Sequence, residues 1–307
     1  MKRFHRDILL FGVILVFVLI LVELLLSRNI KTHIELKFEE IFNPKKKAEA
    51  VFLGNSHAAH GINPRYLDIK GYTFYNFAYN GASPYYFKKW YNKVFSVYYP
   101  KAEYIIYAVD WAMFDDTHSK RTFDTDIRLM PLEVFGDVLI NDPELNKKDI
   151  ILNRFHILFR RRQLQYLFFE KKSHDYVKLN EYFNGYVPHV SENAKMGQSP
   201  EKSEVNVSWR KDFIQLIKEI QSDSIKLIFV NIPDYKPSWN TEDLDERLNY
   251  LDSVARSYNI PYLKYNQELS SKMNYDSTYY NNWIHLNDKG AVEFSKMLSN
   301  DLKSIIK

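Results

Sequence analysis

One pattern recurs along the chain and constrains its fold more than any other. A short apolar run breaks at a turn of glycine or small polar residues, and helical spacing follows. The first instance is residues 50–64, AVFLGNSHAAHGINP, where Val51, Phe52 and Leu53 stop at Gly54-Asn55-Ser56-His57. A run this short, ending in Gly and small polar residues, reads as a buried strand turning into a helix. Residues 72–78 (YTFYNFA) break at Asn80-Gly81-Ala82-Ser83-Pro84 and predict a second strand, then a helix over residues 85–99 with Pro84 near its start. Residues 103–109 (EYIIYAV) predict a third strand, ending at Asp110-Trp111.

The pattern returns late in the chain. Trp209, Phe213, Leu216, Ile217 and Ile220 lie at helical spacing before a strand over residues 226–230, and Leu244, Leu248, Leu251 and Ala255 mark a helix before a short strand over 261–263. Phe294, Leu298 and Leu302 mark a closing helix, for which Asn287 is the N-cap. Strands alternating with helices predict an α/β domain with a parallel sheet and crossover helices. In such sheets chemistry gathers at the carboxyl ends of the strands, so Ser56 is well placed to be a nucleophile.

A serine nucleophile needs a base to take its proton. The downstream candidate is His285, in Asn281-Asn282-Trp283-Ile284-His285-Leu286-Asn287-Asp288-Lys289-Gly290-Ala291. The plainer readings are that Ser56 only caps a helix and that His285 is an ordinary hydrogen-bonded histidine. His57 and His60 read as structural, since no acidic residue accompanies their i, i+3 spacing as a metal site would need. Asn55 reads as a turn-holder, its side chain bonding to backbone.

Gly54-Asn55-Ser56 and Asn282-x-x-His285 resemble two motifs of the SGNH, or GDSL-like, hydrolase superfamily: the Gly-Asp-Ser turn that carries the serine, and the late Asp-x-x-His loop. Each departs by one residue, Asp to Asn. The resemblance implies a three-layer, flavodoxin-like parallel sheet, with Ser56 attacking an ester carbonyl, His285 as base and Asn282 orienting the imidazole through its amide oxygen. It further implies oxyanion donors at the Ser56 N–H and at Gly81. The family's third donor, an asparagine after the third strand, is missing, and Asp110 stands near its place. A carboxylate cannot simply replace that donor; Asp110 is protonated, turned away or in contact with something else. Asp276 and Asp288 are alternative partners for His285, although Asp288 suits the first turn of the closing helix.

At the N-terminus, residues 8–22 are uninterrupted apolar, and after Glu23 the run continues through Leu24, Leu25 and Leu26, about nineteen residues and near the roughly 20 that span a bilayer. Lys2, Arg3 and Arg6 precede it, which keeps the N-terminus cytoplasmic and puts the remainder on the outer face. An uncleaved anchor fits better than a signal peptide, because the run is long for an h-region and no small-residue cleavage site follows. The expected organisation is therefore an anchor over residues 1–28, a stalk or short helix over 29–47, and an α/β domain over 48–307. An insertion over about 114–207 includes Arg160-Arg161-Arg162 and packs over the carboxyl-end face as a lid or substrate platform, or merely adds core.

Composition narrows the partners. A net charge of +4 spread over 307 residues argues against nucleic acid, and zero cysteines exclude disulfides, thiolate metal sites and cysteine catalysis. No cofactor or metal is expected. The resemblance to anchored envelope proteins, such as those of alginate O-acetylation and lipoteichoic acid D-alanylation, implies an esterase or O-acyltransferase acting on an acylated glycan or other envelope polymer. Beside it would work a multipass membrane acyltransferase. The competing expectation is a catalytically silent protein of the same fold, serving envelope assembly or glycan binding.

Overall fold

The computed structural model describes residues 2–29, 33–43, 47–99, 102–115, 123–130, 135–136, 140, 147–148, 182–188, 205–238, 241–266 and 271–306. The chain divides into two compact units, Met1–Leu36 with Asp124–Val177, and Lys37–Phe123 with Lys178–Lys307. The first contains helix α1 (Lys2–Asn29), in which Arg3–Val22 is long and apolar enough to cross a membrane, a property that anchors share with signal sequences. Its large apolar side chains from Ile8 to Leu21 are exposed, unlike those of a core helix.

The second unit is built on strands β1 (Ala50–Leu53), β2 (Phe74–Asn76), β3 (Tyr104–Ala108), β4 (Lys226–Asn231) and β5 (Tyr262–Lys264), all parallel, in the order β2-β1-β3-β4-β5. This is the flavodoxin-like order, whose winding reverses between β1 and β3 and opens a crevice at their carboxyl ends. The main helices are α2 (His33–Phe42) before β1, α3 (Ser56–Gly61), α4 (Pro84–Trp90), α5 (Val207–Ser222) and α6 (Thr241–Ser257) between strands, and α7 (Asp288–Ile305) after β5. Beyond Trp90, α4 runs on through a π-helical turn, Tyr91–Phe95, and a last turn, Ser96–Tyr98.

Both faces of the sheet are covered, which is why its strands read as unbroken apolar runs rather than alternating ones. On one face Phe52, Ile106, Ile228 and Val230 pack with Ala58 and Ala59 of α3 and with Phe294, Leu298 and Leu302 of α7. On the other, Tyr107 and Phe229 meet Phe213 of α5 at ring-centroid distances of 5.6 and 5.5 Å for Tyr107–Phe213 and Phe213–Phe229, and Phe87 of α4 lies 5.6 Å from Tyr107. Burying one such phenylalanine is worth about 1.5–3 kcal/mol.

The α/β unit takes in residues 37–47 as well, which the sequence pattern assigns to the stalk. Phe38 and Ile41, three residues apart on one face of α2, are fully buried, and Phe38 packs on Tyr79 at 5.9 Å. The Lys37 ammonium donates to the Ala78 carbonyl.

The long insertion leaves and returns at one place. Asp115 and Val205 form an antiparallel bridge, and the Asn206 N–H donates to the Phe114 carbonyl at 2.8 Å. Residues 149–181, with Arg160, Arg161 and Arg162, lie outside the described residues, and so does the question of whether this part forms a lid. One described piece, residues 182–188, adds to the free edge of the sheet, the Asn76 N–H donating to the Asn184 carbonyl at 2.8 Å.

Candidate active site

The turn after β1 is tight because two side chains close on it. Gly54 has φ +149°, and a Cβ there would lie 2.9 Å from the Cβ atoms of both Ala108 and Ala58. Only glycine lets α3 start this close to β3. Asn55 is the N-cap of α3, its Oδ1 accepting from the His57 N–H at 3.0 Å. This is the turn-holding role expected of it, and it leaves Ser56 as the first helical residue. The Ser56 N–H accordingly has no intrahelical acceptor.

His285 comes from the other end of the unit. Its loop is pinned by a bridge between Tyr280 and Leu286 and by an Asn281 N–H to His285 carbonyl bond of 2.8 Å. Behind it Asn287 caps α7, accepting from the Gly290 N–H at 2.9 Å and donating to the carbonyls of Thr278 and Tyr280. A Cβ at Gly290 would lie 2.1 Å from the Tyr279 carbonyl oxygen, so the glycine is what lets helix and loop meet. The result is a contact across 229 positions: His285 Nε2 lies 2.8 Å from Ser56 Oγ.

Asn282 stands beside the same imidazole, turned the opposite way from the sequence expectation. Its Oδ1 accepts from the N–H groups of Ile284 and His285, at 3.0 and 2.9 Å, and its Nδ2 faces His285 Nδ1 at 3.0 Å. The two backbone donors fix which end of the amide is oxygen, since the flipped amide would set N–H against N–H twice. The amide therefore donates to Nδ1. A neutral His285 so held carries its proton on Nε2 and donates to Ser56 Oγ.

The remaining predicted residues fall in different places. Gly81, at φ +69°, lies in the turn after β2, which is tied to the serine turn by a Tyr79 N–H to Gly54 carbonyl bond of 2.9 Å. Asp110 is buried and in contact with two groups: its Oδ1 accepts from the Ala112 N–H at 2.8 Å, and its Oδ2 lies 3.9 Å from His57 Nδ1. Asp276 caps the turn at Ser277–Tyr279, accepting from the Thr278 N–H and hydroxyl at 2.9 and 2.7 Å. Asp288 accepts from the Tyr186 hydroxyl at 2.6 Å in the first turn of α7.

Two residues at the site escaped the sequence reading. Asp234, just past β4, is fully buried, with Oδ1 3.6 Å from His57 Nδ1 and Oδ2 accepting from Asn266 Nδ2 at 3.0 Å. Burial, with Asp110 alongside, pushes its carboxyl well above the usual range. The signal available was a carboxylate following a strand's carboxyl end, in Asn231-Ile232-Pro233-Asp234. The second is Trp111, whose indole stacks on Trp283 at 5.6 Å and 25°. The rings of His57 and His60 both stand nearly perpendicular to that of His285, with centroids 5.3 and 5.8 Å away, and His60 Nδ1 lies 2.8 Å from the Val187 carbonyl. Among the described residues no group of three or more acidic or histidine side chains is arranged to hold a metal ion.

Fold and site together define a flavodoxin-like α/β domain with a serine–histidine pair at the carboxyl edge of its sheet. Among solved structures, the chain is similar to the lipase/acylhydrolase from Enterococcus faecalis, at 11% identity and a TM-score of 0.42, over 84% of this chain and 97% of that one. It is also similar to a GDSL-like lipase from Bacteroides thetaiotaomicron, at 10% identity and a TM-score of 0.41, over 87% and 92% of the two chains. No family model matches the sequence, and no curated protein does.

Proposed function

We propose that this chain is a serine-dependent esterase or O-acyltransferase, anchored to a membrane by α1, that acts on ester groups of envelope glycans or related polymers. The observation that carries the reading is the 2.8 Å contact of Ser56 Oγ with His285 Nε2 in the crevice where the sheet's winding reverses. In the reaction, with the His285 proton moved to Nδ1, Ser56 Oγ bonds to the ester carbonyl carbon while its own proton passes to the vacated His285 Nε2. The Ser56 and Gly81 N–H groups donate to the developing oxyanion. Collapse breaks the bond to the alcohol, which leaves with the proton from His285. Water, or a hydroxyl of an acceptor polymer, then attacks the acyl-serine by the reverse steps, giving hydrolysis or transfer. The partly exposed indole of Trp283, backed by the buried Trp111 on which it stacks, offers a flat apolar wall suited to the face of a sugar ring. A multipass membrane acyltransferase is the partner this reading implies, as the source of acyl groups.

One observation favours a second reading, a non-catalytic glycan-binding or assembly protein of the same fold. Asn282 Nδ2 donates to His285 Nδ1, which holds the imidazole in the tautomer that cannot accept a proton from Ser56. A fluorophosphonate probe separates the two on full-length protein. Labelling that disappears in Ser56→Ala supports the enzyme, whereas no labelling together with glycan binding supports the second.

A further inference from the structure

A base beside Ser56 must become an imidazolium as it takes the proton, and in a Ser-His-Asp triad a carboxylate on Nδ1 supports that charge. Here Nδ1 meets an amide N–H instead. The nearest buried carboxylates lie on the other side of a second imidazole. His57 Nδ1 is 3.6 Å from Asp234 Oδ1 and 3.9 Å from Asp110 Oδ2, and the His57 ring stands edge-on to His285, at 81° and 5.3 Å between centroids. All three members are almost completely buried.

We propose that Asp110, His57 and Asp234 form a positioning triplet that carries one net negative charge and lends it, through His57, to the imidazolium of His285, in place of the carboxylate missing at position 282. The proposal rests on the serine–histidine reading and extends it.

The charge follows from counting protons. Two buried carboxylates this close to one imidazole cannot both ionise without a cation between them. One shared proton satisfies the group, whether it sits on Asp234 with His57 neutral or on His57 with both carboxylates ionised. Either placement leaves a net charge of −1. The upward push on the Asp234 carboxyl is consistent with such sharing. Other groups around the triplet leave this count unchanged. Asn266 donates to Asp234 from beyond β5. The phenols of Tyr107 and Tyr262 feel the Asp110 charge, and that of Tyr280 feels Asp234; all three are driven further above their ordinary range and stay neutral. His60 stands 5.8 Å from His285 between ring centroids, and its Nδ1–H donates to the Val187 carbonyl.

Titration of His285 tests this whether or not Ser56 reacts. Full-length protein in detergent, carrying 13C-labelled histidine, is followed by NMR, with the His285 signal identified from its loss in His285→Gln. Asparagine caps a turn as well as aspartate does, so Asp110→Asn keeps the bond to the Ala112 N–H. With one carboxylate left the group would shed its shared proton and keep its charge, so Asp234→Asn is combined with it to remove both. A unit charge at roughly 10 Å across an effective dielectric of about 20 shifts a neighbouring pKa by about one unit. The His285 midpoint is therefore expected to fall by about one pH unit in Asp110→Asn/Asp234→Asn and to stay in place in Asp288→Asn. An unmoved midpoint in the folded double variant overturns the proposal. Should that variant not fold, the unmodified protein decides. An amide donor on Nδ1 alone would depress His285, so a midpoint at or above the ordinary value of about 6.5 supports the triplet, and one more than about a unit below it overturns it. Probe labelling of Ser56 judges the catalytic reading separately, so either can fail without the other.

Discussion

Changing Asn282 to Asp alters one atom of the side chain and reverses one hydrogen bond. In the native site Oδ1 is held by the N–H groups of residues 284 and 285, and a carboxylate oxygen accepts both equally well. The other atom then changes from a donor to an acceptor toward His285 Nδ1, now 3.0 Å from an amide nitrogen. For His285 to act as base with Asn282 in place, its proton must move to Nδ1 and face the amide N–H. Leaving that part-buried donor unpaired costs about 1–3 kcal/mol, and the charge-assisted bond forgone in the transition state about 1.5–3 kcal/mol more. A total of roughly 2.5–6 kcal/mol corresponds to about 10²- to 10⁴-fold in rate. The same exchange in the opposite direction slows a serine-protease triad by about 10⁴-fold. Asn282→Asp is therefore expected to raise the second-order rate of fluorophosphonate labelling at neutral pH by about 10²- to 10⁴-fold, with unchanged circular dichroism. A rate within about threefold of the native one would refute the claim that the tautomer of His285 limits the site.

Two further predictions concern the scaffold. Gly54→Val sets a branched side chain at φ +149° against Ala108 and Ala58, and should destabilise the domain by about 3 kcal/mol or more in chemical unfolding; an unaltered midpoint would show that the turn relaxes freely. Because the folded state holds the Asp234 carboxyl above its unfolded value, it binds a proton that the unfolded chain has released, so this group's contribution to stability falls as pH rises from about 4. Asp234→Asn should flatten that fall, and a pH–stability curve identical to the native one would contradict the assignment.

Much of the fold was legible because the strands are buried on both faces and announce themselves as unbroken apolar runs. Residues 72–78 and 103–109 bracket the observed β2 and β3, and Asn287 caps α7 as expected. The pairing of β1 with both β2 and β3 follows from connection rules rather than from any single residue. What stayed hidden depends on contacts between distant segments. The docking of α2 turns on Phe38 and Ile41, fully buried positions in a short stretch where apolar and charged residues are mixed. The orientation of the Asn282 amide is set by two backbone N–H groups that exist only once its loop has closed. Asp234 looks like one more loop carboxylate until Asn266 folds over it: the Asp234 N–H donates to Asn266 Oδ1 at 2.7 Å, and Asn266 donates to the Ile232 carbonyl at 2.9 Å. Asp110 drew notice only as a misfit for an oxyanion donor; its proximity to His57 follows from the register of β1 against β3, which aligns Leu53 with Tyr107.

The most direct measurement is to trap the acyl-serine. Full-length protein is mixed with an activated acetyl ester, quenched in acid within the first turnover, digested and mapped by mass. The account predicts one acetyl group on the peptide bearing Ser56, greatly diminished in His285→Gln and absent from that peptide in Ser56→Ala. Acetylation confined to surface lysines, or a Ser56 adduct that forms equally fast without His285, would contradict it.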